Sequence, residues 1–353
     1  MIARAPRLAL FVLPLLAVAC GGSNDELPVA PSKLPPLPPP AATAAKGPEK
    51  PVYPKAPKKS ATDTYAWQGE PGGAKVEDEY RSLENAKDPA VVAWSDAENV
   101  MARKLLDGDP QRTKIGARVS ALMGEASPQW NDVVAKKGVV FALERRPPKQ
   151  QPYLVVMTSL EGVDKERVLV DPNAIDATGG TSIGWFVPSP DGKKVAVALA
   201  KGGAEHGDVH IYDVATGKDG KDSVEQAEGS GDGSCLAWKS DGSGFYYTHA
   251  AREANAPKDG VYQRIYFHKL GTTTNDKDVL AVGKDSPRIA QWELESSDDG
   301  KVTMARMEYG DGDAWDQWIL GANGQWKEVA TKEEGVKTMK VGPSGELYLL
   351  ATK

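Results

Sequence analysis

Cysteine and histidine are scarce in this chain, and positive charge is in deficit. Its 353 residues include two cysteines, Cys20 and Cys235, and four histidines, His206, His210, His249 and His268. That scarcity excludes a disulfide-stapled scaffold and offers no Cys/His set with zinc-site spacing. Against 49 Asp and Glu stand 43 Lys and Arg, a net charge of −6 that argues against a nucleic-acid binder. No apolar run is long enough to span a bilayer, since Leu8 to Ala19 falls short of the ~20 residues required. Phosphate- and calcium-loop signatures are missing too. Gly229 to Gly233 lacks the Lys-Ser/Thr of a P-loop, and Asp311 to Asp316 lacks the loop glycine and terminal Glu of an EF-hand. Both read as loops between strands, and no cofactor is expected.

What the N-terminus does hold is a leader. Arg4 and Arg7 precede the apolar stretch, the pattern of a secretory signal over residues 1–20. Ala17, Val18 and Ala19 before Cys20, with Gly21 and Gly22 behind it, resemble the lipobox of bacterial lipoproteins, although Ala17 stands where Leu is usual. The resemblance implies that Cys20 is lipidated on sulfur and becomes the mature N-terminus. Cys235 then has no disulfide partner, and its apolar run, Cys235 to Trp238, marks it as a small buried side chain. Gly21 stands where an Asp would mark inner-membrane retention, which points to the cell envelope at the outer membrane, on its periplasmic face or the cell surface. Residues 21–60 follow as a linker. They hold 11 of the 26 prolines, with Ala and Lys between them, a composition that stays extended and buries no core.

Between residues 61 and 125 the pattern turns helical. Asp88 can cap, Pro89 suits a first turn, and Val91, Trp94, Met101 and Leu105 share one face before Gly108. A second stretch carries Ile115, Val119, Leu122 and Met123 and ends at Gly124; both are expected to pack on the strands that follow. Over residues 126–353 a strand-and-turn unit recurs. Trp185 to Ala198, Leu236 to His249 and Leu294 to Ala305 each place an Asp-Gly turn between apolar strands. Asp-Gly suits a tight hairpin in which both central residues tolerate positive φ. Weaker copies run from Val133 to Leu143 and from Met339 to Leu350. The turn glycines at 138, 192, 242, 300 and 345 lie 54, 50, 58 and 45 residues apart, the length of a four-stranded propeller blade. The fold expected is all-β, a partial β-propeller of about four and a half blades preceded by a short helical segment.

Longer phrases carry a family resemblance. Glu77, Asp78, Tyr80, Arg81, Leu83 and Glu84, followed by Asp88-Pro89, Ala93-Trp94 and Asn99, resemble the opening of prolyl oligopeptidases. The likeness continues in family order through Pro152-Tyr153, Asp171-Pro172-Asn173, Ser189-Pro190-Asp191-Gly192, Asp213, Thr216-Gly217, Ala237-Trp238, Phe245-Tyr246-Tyr247 and His268 to Thr272. Ser82 and Glu98 depart from the family's Trp and Gln. The resemblance implies a serine peptidase in which a seven-bladed propeller covers an α/β-hydrolase domain and admits short peptides to be cut after proline. The nucleophile, acid and base of that family lie C-terminal to the propeller, so no triad carries over onto this chain.

Local motifs offer no substitute chemistry. Gly180-Thr-Ser182-Ile-Gly184 matches a nucleophile elbow by letter, but a strand rather than a helix is expected to follow it. In His206-Gly-Asp208-Val-His210 the polar residues alternate with Val209 and Ile211, the wet face of a strand rather than a metal site. His249 and His268 read as surface or blade-edge residues, and the aromatics as core between blades. Two functions follow. One is the substrate-gating half of a truncated, lipid-anchored peptidase, inactive alone and partnered by a separately encoded hydrolase domain or short peptides. The other is a standalone anchored propeller that binds peptides or envelope proteins without catalysis.

Overall fold

A computed structural model of the chain describes residues 51–65, 74–124, 127–159, 165–227, 235–253, 256, 261–287, 289–297, 300–309, 315–321, 323–342 and 346–352. The leader, Cys20, most of the linker, Gly229 to Gly233 and Asp311 to Ala314 lie outside them. Two compact units are present, Met1–Leu105 and Leu106–Lys353. In the first, strands β1 (Ala61–Tyr65) and β2 (Ala74–Asp78) pair antiparallel with Ala61 opposite Asp78. The stretch read as helical therefore opens with a hairpin. Its strands are joined beyond the backbone, because the Ser60 and Thr62 hydroxyls donate to the Glu77 carboxylate at 3.3 and 3.1 Å. Helix α1 (Pro89–Asp107) begins where Asp88 directs it. The Asp88 carboxylate accepts the Ala90 N–H at 2.9 Å, and Pro89 has no N–H to leave unpaired.

The second unit holds helix α2 (Pro110–Gly124) and the strands. Asp109 caps α2 through the Gln111 N–H at 2.8 Å. Its apolar side chains do not pack as expected, and Ile115, Val119, Leu122 and Met123 are all exposed. Gly116 and Ser120 dilute that face to a stripe too narrow to bind the strands strongly.

Four blades follow, each an antiparallel sheet in chain order. The first is β3 (Gln129–Lys136), β4 (Val139–Arg145), β5 (Tyr153–Met157) and β6 (Arg167–Val170). The second is β7 (Thr181–Pro188), β8 (Lys194–Lys201), β9 (Gly207–Asp213) and β10 (Asp219–Ala227). Blade three is β11 (Leu236–Trp238), β12 (Gly244–Ala250), β13 (Val261–Lys269) and β14 (Val279–Val282). Blade four is β15 (Ile289–Ser296), β16 (Thr303–Tyr309), β17 (Trp315–Leu320) and β18 (Trp326–Ala330). A short parallel pairing of Val261 and Tyr262 with Ile289 and Ala290 joins blades three and four. The hairpin β19 (Val336–Val341) and β20 (Leu347–Ala351) comes last.

Strand β8 shows how the blades cohere. Both of its faces are covered, so its sequence is a continuous apolar run rather than an alternation. Val195, Val197 and Leu199 pack with Phe141, Leu154 and Val156 of blade one. Ala196 and Ala198 turn the other way, where their small size leaves room for Trp238, Phe245 and Tyr247 of blade three. Each fully buried Val or Leu in such an interface contributes about 1.5–3 kcal/mol. Cys235 lies in the second of these clusters, fully buried, as its apolar run predicts.

The Asp-Gly turns form by a different route from the one expected. At Asp191-Gly192 and Asp241-Gly242 only the glycine has positive φ, and each of the three turns is closed over four residues. The N–H of Gly192, Gly242 and Gly300 donates to the carbonyl of Ser189, Lys239 and Ser297, at 2.9, 2.9 and 2.8 Å. The aspartate acts through its side chain instead, and Asp241 accepts the Ser243 N–H at 2.9 Å.

Candidate functional site

The first strands of the four blades and of the last hairpin converge on one cavity of about 400 Å3. One wall is apolar, built from Val134 of β3, Phe186 to Pro188 of β7, Leu236 and Trp238 of β11, and Met339 of β19. The lining is also charged. Glu293 and Glu295 alternate along β15 and so share a face. Glu293 pairs with Arg306, its register partner on β16, and Glu295 pairs with Lys340 of β19. The Arg306 guanidinium also lies 4.4 Å from the centre of the Trp315 ring, which fixes its plane. Beside these charges the Ser296 hydroxyl oxygen is buried without a hydrogen-bond partner, and Gln317 is buried.

Turns crowd one end of this cavity. A Cβ on Gly300 would sit 2.6 Å from Pro190 Cγ and 3.9 Å from Ser240 Cα, so the turns of blades two, three and four meet there. A Cβ on Gly192 would come 2.9 Å from the Lys136 carbonyl, which brings the turn of blade one against that of blade two.

A second polar cluster corrects the reading of His268 as a surface or blade-edge residue: its side chain is fully buried. It shares a strand face with Tyr266, which belongs to the core between blades two and three. Carboxylates flank the ring and compensate its burial. Nδ1 lies 2.9 and 3.0 Å from the two Asp278 oxygens, and Nε2 lies 3.4 Å from Asp222 Oδ1 on β10. Tyr247 donates to Asp278 at 2.7 Å and accepts from Arg252 at 2.6 Å. Burial pushes the Tyr247 phenol well above its ordinary value, more than Arg252 pulls it back, and burial also holds the partly buried His249 imidazole below its own. Arg252 is spent on this scaffold, over the Tyr266 ring at 4.9 Å and on the Asn275 carbonyl at 2.7 Å.

Blade one holds a comparable knot around fully buried Glu144. Arg146 bonds Glu144 and reaches Glu166 at 2.9 Å, and Trp130 donates to Glu166 at 2.9 Å. Burial, aided by Glu144, raises the Tyr153 phenol to about 12.

The remaining candidates fall outside any reactive arrangement. Ser182 sits inside β7 opposite Ala200 of β8, with strand on both sides and no helix after it. On β9, Val209 and Ile211 are buried while Asp208 and His210 are partly exposed, and His210 lies 3.0 Å from Asp219. Asp316 is buried and accepts from the Tyr309 hydroxyl at 2.5 Å and the Lys332 N–H at 2.7 Å, a structural role. Among the described residues no three His, Cys, Asp or Glu side chains are arranged to hold a metal ion. Glu293, Glu295, Arg306 and Lys340 were not singled out from the sequence. Glu293 and Glu295 were traceable as alternating charges on the first strand of a repeat, but the two cations carry no such signal.

Comparison with known proteins bears on this geometry. Residues 57–336 match the family described as prolyl oligopeptidase, N-terminal β-propeller domain. The prolyl endopeptidase of Elizabethkingia meningoseptica is 26% identical over 259 residues, covering 70% of this chain and 33% of the relative. That of Dictyostelium discoideum is 22% identical over 266 residues, covering 63% and 34%. A solved structure from work on two prolyl endopeptidases and their inter-domain dynamics superposes with a TM-score of 0.68 at 26% identity, over 84% of this chain and 42% of that one. Oligopeptidase B from Leishmania major, at 16% identity and a TM-score of 0.67, shares the fold. The chain spans about a third of the length of the curated relatives it matches.

Proposed function

The chain belongs to the prolyl oligopeptidase family through its N-terminal β-propeller domain, and on that premise we propose that it is the substrate-gating half of a lipid-anchored serine peptidase acting on short peptides. The central cavity carries this reading. First strands from every blade surround it and turns crowd one end, so it admits ligands by size. Cleavage after proline comes to this chain from the names of its relatives. The catalytic serine, acid and base are assigned to a hydrolase domain outside these 353 residues, and the chain alone hydrolyses nothing. Hairpin β19–β20 is the first half of a fifth blade in a ring of seven. Leu347, Tyr348, Leu349 and Leu350 are exposed on both of its faces, apolar surface that further strands would help to cover. Cys20 bears the lipid, residues 21–60 form the spacer and residues 61–125 lead into the propeller of 126–353. The protein then works at the periplasmic face of the outer membrane or on the cell surface.

The test has two arms. Purified chain is incubated with a quenched fluorescent peptide containing one proline, and no cleavage is expected; turnover abolished by Ser182→Ala would overturn the assignment of chemistry to another domain. The DNA beyond the Lys353 codon is then translated in all frames. A hydrolase domain with a serine between strand and helix supports the gating role. An unrelated gene leaves the chain a binding propeller.

A further inference from the structure

The central cavity is lined in a way that size selection alone does not require. A size filter needs only bulk, yet here Glu293, Glu295, Arg306 and Lys340 line the cavity together, with Lys136 of β3 as a further cation in the lining. The first four are matched to opposite charges, Glu293 to Arg306 and Glu295 to Lys340. The rest of the lining is largely apolar, with Val187, Pro188, Trp238 and Met339. Ser296, whose hydroxyl is buried and unpartnered, also lines the cavity.

Such a lining discriminates by charge pattern. A ligand with one negative group would draw Lys340 or Arg306 away and leave a carboxylate unmatched, which weakens its binding even though the Glu295–Lys340 pair is exposed. A purely cationic ligand would strand the basic partner in the same way. A ligand carrying both charges at its two ends inserts into the pairs and leaves all four side chains matched. The cavity volume of about 400 Å3 lies near the small end of ligand sites, which restricts the occupant to a few residues.

We propose that the central cavity is a binding site for a short peptide with free termini, its ammonium group at Glu293 and Glu295 and its carboxylate at Arg306 and Lys340. The apolar wall takes the side chains, and the Ser296 hydroxyl meets a peptide amide. The proposal rests on the reading of this chain as a propeller that peptides reach, and adds that the propeller holds them by their ends.

Calorimetric titration of the 353-residue chain with the tripeptide Ala-Pro-Leu tests it, against the same tripeptide acetylated and amidated. The free peptide is expected to bind, and the capped one to bind roughly tenfold more weakly or worse. Glu295→Gln and Lys340→Met should each weaken the free peptide by about the same factor. The exchanged pair E295K/K340E keeps both charges on the wall, so it should bind the free peptide better than either single variant. Thermal melts of all three variants confirm folding before titration. Equal affinity for free and capped peptides, binding of neither, or single variants that bind like the parent would each overturn the proposal. Failure of the gating role would appear elsewhere, as proline-peptide cleavage by the chain alone.

Discussion

Trp238 donates its indole N–H to the Val187 carbonyl at 2.9 Å, and so ties the first strand of blade three to the first strand of blade two. The same ring is almost wholly buried and packs edge-on against Phe245 at 5.3 Å. Blades touch their neighbours mainly through such side chains, so the strength of the array rests on a few large ones. Replacing Trp238 with Ala should cost about 3–5 kcal/mol. Replacing it with Phe, which keeps most of the apolar contact, should cost about 1–3 kcal/mol. Urea denaturation followed by tryptophan fluorescence measures both, and equal losses would mean that the hydrogen bond, absent from both variants, carries the effect and the ring volume kept by Phe contributes little.

His268 bridges carboxylates from two blades, and its loss leaves Asp278, which is almost fully buried, with the Tyr247 hydroxyl as its remaining side-chain partner. His268→Ala should therefore destabilise by about 2–5 kcal/mol, through the lost hydrogen bond to a buried carboxylate and the cavity left behind. The double variant H268L/D278N, which fills the space and removes the buried carboxylate, should recover part of that loss. If the double variant is the less stable, the unsatisfied carboxylate is not the reason for the effect.

Two turn aspartates set an acid limit. The Lys239 ammonium and then the Ser243 hydroxyl and N–H hold the Asp241 carboxyl at about 2, below its ordinary 3.8, and the Thr216 hydroxyl and N–H lower Asp213. A carboxyl depressed in the folded state contributes stability above its unfolded value and loses it as pH falls through the folded one. The urea midpoint should fall between about pH 4 and pH 2, and Asp241→Asn should flatten that slope. Both carboxylates are largely solvated, so the effect per residue is small.

Gly242 and Gly300 have the same left-handed backbone, with φ of 68° and 71°. They differ in surroundings, since a Cβ at Gly242 meets nothing within 4 Å and one at Gly300 strikes Pro190. Gly242→Ala should cost about 1–2 kcal/mol for the backbone alone. Gly300→Ala should cost more, and Pro190→Ala should relieve the difference. Equal losses at the two sites would show that the turns do not meet.

Cys20 is the proposed lipid attachment site. In the native host, Cys20→Ala should abolish labelling by radioactive palmitate and move the protein from the membrane pellet to the soluble fraction. Retention in the pellet with no label would point to anchoring by other means.

Much of the propeller was legible in the chain. The recurrent glycines announced the blades, and Asp88-Pro89 announced a helix start, because caps and turns depend on residues only a few positions apart. Strand β8 was legible as the apolar strand after an Asp-Gly turn, though not that both of its faces are covered. The candidate site was not. Glu293 and Glu295 drew no notice, and His268 looked like a surface or edge residue, because alternation says which residues share a face but not what covers it.

By itself the sequence determined the strand periodicity, the turn positions and the family. Those are written in neighbours, in backbone preference and in apolar pattern. Only the tertiary structure decided that Lys340 meets Glu295, 45 residues away, that Asp222 of one blade faces His268 of the next, and that Gly300 touches Pro190. Such contacts arise where blades pack side by side, and the free energy that selects them belongs to the packed array rather than to any local segment.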